Sequence, residues 1–319
     1  MAFFSSLESV IPIVLIIALG FILRKKSWFS DSFGGNISKY IMNIALPASI
    51  FVSVLTHLTK QKLLSLSGGL LYGAISYALG YLISFALVKI LKIRNGRKGI
   101  FINTIVNANT IFIGLPLNIA LFGQESIPYF LVCYVLNTIS TWAFGAFLIS
   151  ADPMNPDENK TKKKKNWKKI LSPPLIGFLI ALAILLLEFQ VPTFFVSTFS
   201  YLGQTVTPLS LLYIGIMLCD AGLKSIHFDK DTTIALFGRF ILAPAIIVLL
   251  IFIGRTIEPL PLLEQKTLII QTTVPALSIL PILANEAKGD VKYATNIVTT
   301  STLLFLIIIP LYEFLIQYM

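Results

Sequence analysis

Ten long apolar segments separated by short polar connections dominate this sequence. A helix needs about 20 mostly apolar residues to cross the hydrocarbon core of a bilayer. Only 13% of the 319 residues are charged, which is about half the charged fraction of an average soluble domain, and the mean hydropathy is +0.84. The pattern predicts an all-α polytopic membrane protein and excludes a soluble enzyme, a disordered chain and a secreted disulfide scaffold. The predicted spans are 7–23, 36–56, 63–88, 98–122, 127–150, 171–188, 197–219, 231–253, 263–285 and 292–316.

The distribution of basic residues predicts the orientation of these spans in the cell membrane. The net charge is +10, and in a membrane protein such an excess follows from the retention of Lys and Arg on the cytoplasmic side rather than from binding nucleic acid. With the N-terminus outside, twenty of the 25 Lys and Arg residues belong to the inner segments and four to the outer segments, while Arg239 lies within span 8. We therefore expect both termini outside.

The basic connection 151–170 divides the chain into a first unit, 1–150, and a second unit, 171–319, of five spans each. Its lysine run, Lys162–Lys165, has two interpretations: a contact with anionic lipid headgroups, or a cytoplasmic linker that follows the positive-inside rule. An odd number of spans per unit gives the two units opposite orientations in the membrane. The sequence thus predicts two inverted five-helix repeats.

Proline spacing supports this internal repeat. Pro47 and Pro208 lie in spans 2 and 7, and Pro116 and Pro275 lie in spans 4 and 9, at offsets of 161 and 159 residues. The surrounding residues agree at the first pair, because Asn43-x-x-x-Pro47 corresponds to Gln204-x-x-x-Pro208. For this first pair, a helix kink and a place on the scaffold side of a binding site both remain open.

Span 4 contains an unusual density of residues that interrupt or polarise a helix. A side-chain amide near mid-membrane needs a partner, and glycine permits unusual backbone angles. The residue before a proline is disfavoured in the α region, and proline suits the first position of a helix. We therefore expect a break followed by a new half-helix that starts at Pro116. The residues concerned are Asn107, Asn109, Thr110, Gly114 and Pro116.

Span 9 is the counterpart of span 4. Thr272 and Thr273 precede Pro275, and Pro281 follows. Two interrupted helices that meet at the membrane midplane are typical of secondary transporters, and helix N-termini favour anions. The polar residues of both spans are therefore candidate binding residues for a small anion, with hydrogen bonding between helices as the alternative.

Ionisable residues give few further candidates. We expect no carboxylate deep in a span, and Arg239 either extends to the inner surface or neutralises a bound anion. Cys133 and Cys219 lie in apolar stretches, and we interpret them as core residues. No enzyme motif, metal-binding motif or cofactor motif is present in the sequence, so we expect a non-enzymatic protein without cofactors. The acidic residues assigned to span ends or loops are Glu8, Glu125, Glu188, Asp220, Glu286, Asp290 and Glu313.

With these motifs, the chain resembles the auxin efflux carrier family, including its bacterial permeases. The residues that carry the resemblance are Asn109-Thr-Ile-Phe-Ile-Gly114-Leu-Pro116-Leu, Asn43-Ile-Ala-Leu-Pro47-Ala, Ser172-Pro-Pro-Leu, and Pro275 with Glu286. The resemblance runs through all ten spans.

This resemblance implies a scaffold of helices 1, 2, 6 and 7, and a transport domain of helices 3–5 and 8–10. Helices 4 and 9 cross at the substrate site, with Asn109 facing the substrate and Pro116 and Pro275 as crossover prolines. It further implies elevator-type alternating access, homodimers, and organic-anion substrates such as malate or an auxin-like acid. A more distant resemblance to bile-acid sodium symporters leaves sodium coupling open. A membrane sensor or scaffold without transport activity is the alternative from another class.

Overall fold

The computed structural model describes residues 2–155, 173–222, 225–257 and 259–317, with the side chains of 2–10 and 60–65 left out. Lys162–Lys165 therefore lie outside the described residues. The described part of the chain is helical and contains no strand, as predicted. Its helices are α1 (Ala2–Lys25), α2 (Phe33–His57), α3 (Lys60–Ile90), α4 (Lys98–Val106), α5 (Thr110–Phe122), α6 (Gln124–Ser150), α7 (Pro173–Leu186), α8 (Thr193–Ala221), α9 (Lys230–Gly254), α10 (Leu262–Thr273), α11 (Leu280–Glu286) and α12 (Val291–Ile316).

Six helices of the described chain, namely α2, α3, α6, α8, α9 and α12, are long and apolar enough to cross a membrane. The helix α1 occupies predicted span 1, and the 14-residue helix α7 occupies predicted span 6. Predicted spans 4 and 9 each contain two shorter helices, α4 with α5 and α10 with α11. These helices define a multi-pass membrane protein.

Three helices continue through a proline because a π-helical turn precedes each of these prolines. The residues before Pro47, Pro116 and Pro244 each donate a backbone hydrogen bond to the carbonyl five positions earlier. This wider turn relieves the clash between a proline ring and the preceding turn. Leu115 is helical, with φ −68° and ψ −51°, so the expectation that it leaves the α region is wrong.

Helices α1, α2, α7 and α8 pack together and are called group A. Helices α1 and α8 cross with their backbones in contact, because a Cβ on Gly20 would collide with the Leu212 carbonyl and one on Gly215 with the Ile17 carbonyl. In α7, Gly177 lies against Pro47 of α2, so Pro47 belongs to a helix–helix contact. At the C-terminal ends of these two helices, Arg24 of α1 pairs with Asp220 of α8 at 2.6 Å.

The remaining helices, α3–α6 and α9–α12, form group B. One arginine joins the starts of three of its helices: Arg97, just before α4, pairs with Asp290 before α12 at 2.7 Å and with Asp229 before α9. Partial burial raises the pKa of Asp229, but hydrogen bonds from Thr232 and Arg97 outweigh it and lower that pKa to about 2. The arginine-centred clusters at Arg24 and Arg97 thus each connect helices of a single group.

Candidate functional site

The first break in group B lies between α4 and α5. The helix α4 ends at Val106, Asn107 is extended with φ −103° and ψ 140°, and α5 starts at Thr110. Asn109 precedes α5, and its Oδ1 accepts a hydrogen bond from the Phe112 amide at 3.3 Å, as an N-cap residue does. The half-helix therefore starts at Thr110, six residues before Pro116. The prediction that it starts at Pro116 is wrong.

The second break lies against the first, and the place where they pair is called the crossing. The helix α10 ends at Thr273, Val274 is extended, and α11 starts at Leu280. Ala108 and Ala276 form an isolated antiparallel bridge, in which the Asn109 amide donates to the Pro275 carbonyl at 2.9 Å. Two short extended segments thus satisfy each other's backbone groups in the protein interior, where an unpaired group is costly.

Side chains from two neighbouring helices hold this crossing. Asn137 of α6 bonds both backbone groups of Ala108: its Oδ1 accepts from the amide at 2.9 Å and its Nδ2 donates to the carbonyl at 3.0 Å. In a similar place on α12, Ser301 Oγ accepts from the Ala276 amide at 3.3 Å. Asn137 was not predicted from the sequence, although an asparagine in the middle of span 5 gives the same signal that singled out Asn109.

Arg239 lies on one side of the crossing, 1% exposed. Its guanidinium donates to the carbonyls of Ile105 at 3.1 Å, Val274 at 2.7 Å, Thr272 at 2.8 Å and Gln271 at 3.4 Å. These carbonyls end α4 and α10, where the helix dipole is negative. The interpretation that Arg239 extends to the inner surface is therefore wrong, because its guanidinium is buried and bonds the carbonyls at the C-terminal ends of α4 and α10.

A cavity of about 220 Å³ lies at the crossing, between α2, α5, α6 and the connection from α10 to α11. Ala108 and Thr110 line it and also line a smaller cavity of about 40 Å³ on the side of Arg239. The larger cavity therefore faces the N-terminus of α5, the positive end of that helix. Its polar lining residues are Ser38, Asn109, Thr110, Tyr134, Asn137, Thr138, Thr141, Trp142 and Ser278.

One of these side chains has a polar atom without a partner among the described residues. Thr141 is 3% exposed, and its Oγ1 makes no hydrogen bond. Asn109, which is 6% exposed, lines the same cavity and accepts from the Phe112 amide through its Oδ1. Unpaired buried polar groups are rare in folded proteins, so the Thr141 hydroxyl indicates a place for a ligand.

The other predicted residues of span 4 have different roles. Asn107 is fully buried away from the larger cavity and bonds Asn103 at 2.8 Å and Ser140 at 2.6 Å. Gly114 has helical angles, φ −62° and ψ −46°, so the expectation of unusual backbone angles is wrong. It is needed for space, because a Cβ there would collide with the amide of Gln271, which donates to the Gly114 carbonyl at 2.9 Å.

The residues predicted from spans 2, 7 and 9 lie partly at the crossing. Thr272 and Thr273 direct their hydroxyls to carbonyls of their own helix, and Pro275 supplies the carbonyl that Asn109 bonds. Asn43 is exposed and bonds the Lys39 carbonyl, and Pro208 lies in α8 of group A. Neither Asn43 nor Pro208 is at the crossing.

A buried carboxylate was not among the predicted residues. Glu264 of α10 is 0% exposed, and neither of its oxygens has a hydrogen-bond partner among the described residues. It was missed because it stands at the predicted edge of span 9, where an acidic residue normally reaches water.

The fold and the site define a multi-pass α-helical membrane protein in which the breaks of two interrupted helices pair beside a buried arginine. The chain belongs to the membrane transport protein family, which includes the auxin efflux carriers, since the model of that family matches residues 5–313. It is similar to an uncharacterized transporter of Methanocaldococcus jannaschii, with 20% identity over 97% of this chain and 98% of the relative. It is also similar to an uncharacterized transporter of Methanothermobacter thermautotrophicus, with 23% identity over 98% and 99%. The predicted family is confirmed, and the chain is a membrane transporter.

Proposed function

We propose that this transporter carries a small organic anion, a carboxylate such as malate or an auxin-like acid, and binds it in the larger cavity at the crossing. The observation that carries the proposal is the buried, unpartnered hydroxyl of Thr141, in a cavity at the start of α5 that the amide side chain of Asn109 also lines. A carboxylate accepts hydrogen bonds from such donors, and the positive end of the helix favours its charge.

The position of Arg239 favours anion transport without sodium. In transporters with interrupted helices, unwound carbonyls and the C-terminal ends of half-helices coordinate the coupling cation. Here Arg239 occupies four such carbonyls at the ends of α4 and α10. The guanidinium takes the place that a cation would need, and its fixed charge offsets that of an anion bound across the Ala108 segment. Transport that requires sodium would favour the sodium-symporter alternative.

Pairs of corresponding positions support two inverted five-helix repeats with ten transmembrane helices, α4–α5 and α10–α11 each counting as one. Ala108 pairs with Ala276 at the crossing, and Asn137 and Ser301 hold them from α6 and α12. Pro116 matches Pro281, because each follows a leucine at the start of the α-helical part of its half-helix. In this comparison of the two repeats, Pro281 and not Pro275 corresponds to Pro116.

Groups A and B correspond to the scaffold and the transport domain of an elevator mechanism. The larger cavity lies between them: α2 of group A contributes Ser38 and Met42, and group B contributes the rest of the lining. These residues belong to the first half of α2, so the cavity faces the cytoplasm in the orientation that the basic residues predict. A third cavity, away from the crossing, has a volume of about 440 Å³, is lined by Ser53, His57 and Gln124 among others and marks the outer side; the name larger cavity stays with the 220 Å³ cavity at the crossing.

Several further assignments rest on the family or the sequence. Homodimers follow from the resemblance to auxin efflux carriers, and the location of both termini outside follows from the positive-inside rule. If the protein is instead a sensor or scaffold, deleting 156–166 removes its function, whereas a transporter keeps most of its flux.

The test uses purified protein in proteoliposomes on a solid-supported membrane, with rapid jumps of malate, malonate, acetate and indole-3-acetate. We expect a saturable current with malate or malonate, which have two negative charges, for the wild type and none for Asn109→Ala, while Asn36→Ala, an exposed asparagine of α2, retains the wild-type current. The near-isosteric Thr141→Val removes one hydrogen bond and should raise the half-saturating concentration about tenfold. Wild-type currents in Asn109→Ala would remove this cavity from the transport path.

A further inference from the structure

Three buried polar residues follow one face of α10 without partners for their oxygens. Glu264, Thr267 and Gln271 have the spacing i, i+3 and i+7, which places them in a row on a helix. They are 0%, 0% and 4% exposed. Both carboxyl oxygens of Glu264, the hydroxyl of Thr267 and Oε1 of Gln271 have no hydrogen-bond partner among the described residues. The row extends about 10 Å along the helix, from its first turn to the crossing.

Both ends of this row contact glycines of group B. A Cβ on Gly69 of α3 would collide with Glu264 Oε1, and a Cβ on Gly114 of α5 would collide with Gln271 Oε1. The row is thus enclosed by helices of the same group and is not part of the boundary with group A.

The described groups around Glu264 offer it no available cation. Tyr129 and Cys133 of α6 are the titratable groups in direct electrostatic contact with it. Lys266 lies two positions along α10 and therefore points to another side of the helix. Arg239 lies at the far end of α10, and its donors are engaged by carbonyls. The packed elements have these other described titratable residues: Tyr72, Tyr77, Tyr81 and Lys89 on α3, Glu125 and Tyr134 on α6, Lys230 and Asp231 at the start of α9 with the exposed Arg255 just after its end, and Lys292, Tyr293, Tyr312 and Glu313 on α12.

Burial without a nearby cation determines the protonation state of the Glu264 carboxyl group. The first-turn position in α10 favours a negative charge, but the cost of removing a carboxylate from water is larger. The carboxyl group therefore holds a proton in this conformation, and it would lose that proton only when water reaches it.

We propose that Glu264 is a proton-binding site of group B and that its proton travels together with the substrate anion. The step is a simple transfer: the Glu264 carboxylate takes a proton from water on one side of the membrane and returns it to water on the other. Thr267 and Gln271 provide polar atoms that continue from Glu264 to the crossing. A bound anion and an ionised Glu264 both add negative charge to the same group of helices, so each disfavours the other. Anion binding therefore retains the proton, and the two move in the same direction. This coupling rests on the function proposed above.

The protonation is tested without transport, by infrared difference spectroscopy of the purified protein in lipid. At neutral pH the wild type should show the carbonyl stretch of a buried protonated carboxyl group. Glu264→Gln should lack this band, and the exposed control Glu125→Gln should keep it. A band that is absent from the wild type, or that survives in Glu264→Gln, overturns the proton site. Glutamine imitates a protonated glutamate, so a Glu264→Gln protein that fails to fold while Glu264→Asp folds would also contradict it.

The coupling is tested with labelled malate in proteoliposomes. With one proton per anion, electroneutral transport should accumulate a monoanion about tenfold for each unit of an inward pH gradient, and malate should respond in the same direction. Glu264→Gln should keep malate exchange at equal pH and lose the gradient-driven accumulation, whereas Glu125→Gln keeps both. Wild-type uptake that ignores the pH gradient overturns the coupling while the proposed function stands. A protonated Glu264 in a protein that moves none of the tested anions contradicts the proposed function and, with it, the coupling, but leaves the proton site in place.

Discussion

At the residue scale, the crossing depends on side chains that reach backbone groups of another helix. Gln271, Asn137 and Arg239 all bond the main chain near the breaks. Gly114 shows how close this packing is, because its missing side chain leaves the space in which the Gln271 amide reaches the Gly114 carbonyl. The glycine is required by a contact from 157 positions away.

Gly114→Ala should therefore destabilise the protein. The added methyl group displaces Gln271, and overpacking of this kind costs about 1–3 kcal/mol. We expect a lower unfolding temperature in detergent and a lower transport rate. The matched control is Gly35→Ala in α2, where a Cβ meets nothing within 4 Å and where alanine suits the helix better. Equal unfolding temperatures for the two variants would contradict the assigned role of Gly114.

The sequence alone predicts some of these residues and not others, for a physical reason. Asn109 and Pro275 stand out because polar residues and prolines are exceptional within apolar spans, and both lie at the crossing. The partners of Arg239 could not be predicted, because they are carbonyls on two other helices and every residue has one. Glu264 was missed because an acidic residue at the edge of a span normally reaches water, and here the packing of α3 and α6 covers it.

At the element scale, the sequence predicts that spans 4 and 9 are interrupted, but not where the second half-helix begins. Proline rules place that start at Pro116, yet the helix starts at Thr110 and a π-helical turn carries it past the proline. The cap by Asn109 and the bond from Asn137 to Ala108 determine the position of the break. Rules for capping and proline consider one helix at a time, whereas the position of this break also depends on a side chain of the neighbouring helix α6.

Capping also makes the start of α9 sensitive to pH. Asp229 accepts from the Thr232 amide at 2.8 Å and pairs with Arg97, and its pKa in the folded protein is about 2. An unfolded aspartate has a pKa of about 3.9, so the charged form stabilises the folded state by about 2 kcal/mol at neutral pH. This contribution is complete above about pH 4 and is lost as the pH falls towards about 2.

We therefore expect the wild type to be more stable than Asp229→Asn at pH 7, and the difference to shrink between about pH 4 and pH 2. Asparagine keeps the cap but loses the charge, so the variant isolates the ion pair. Thermal unfolding of both proteins across this pH range measures the effect. A difference that does not depend on pH would show that the Asp229 charge contributes nothing to stability.

At the scale of the whole molecule, the helices separate into two groups, each with its own close contacts. Glycines bring α1 and α8 together in group A, and Arg97 joins α4, α9 and α12 in group B. The boundary between the groups contains the larger cavity and the hydrogen bond from Ser53 Oγ of α2 to the Gln124 carbonyl of α6 at 3.2 Å. This arrangement suits two rigid bodies that move past each other.

Covalent connection across this boundary should stop transport. After replacement of Cys133 and Cys219 by alanine, the pair Ser53→Cys and Gln124→Cys joins α2 to α6. The pair Tyr40→Cys and Thr205→Cys, whose native side chains lie 3.3 Å apart, joins α2 to α8 within group A. We expect a short bifunctional thiol reagent to abolish malate uptake by the first pair and to leave the second pair active. Undiminished uptake by the cross-linked first pair would contradict relative movement of the two groups.

The most direct test of the central claim is the position of a bound carboxylate in the protein. A structure determined with bromosuccinate, using the anomalous signal of bromine, identifies the site without assumptions about the transport cycle. We expect a bromine peak in the cavity between Asn109, Thr141 and Ser278. A peak elsewhere, such as the cavity beside His57 and Tyr201, or no peak at a concentration that drives transport, would contradict it.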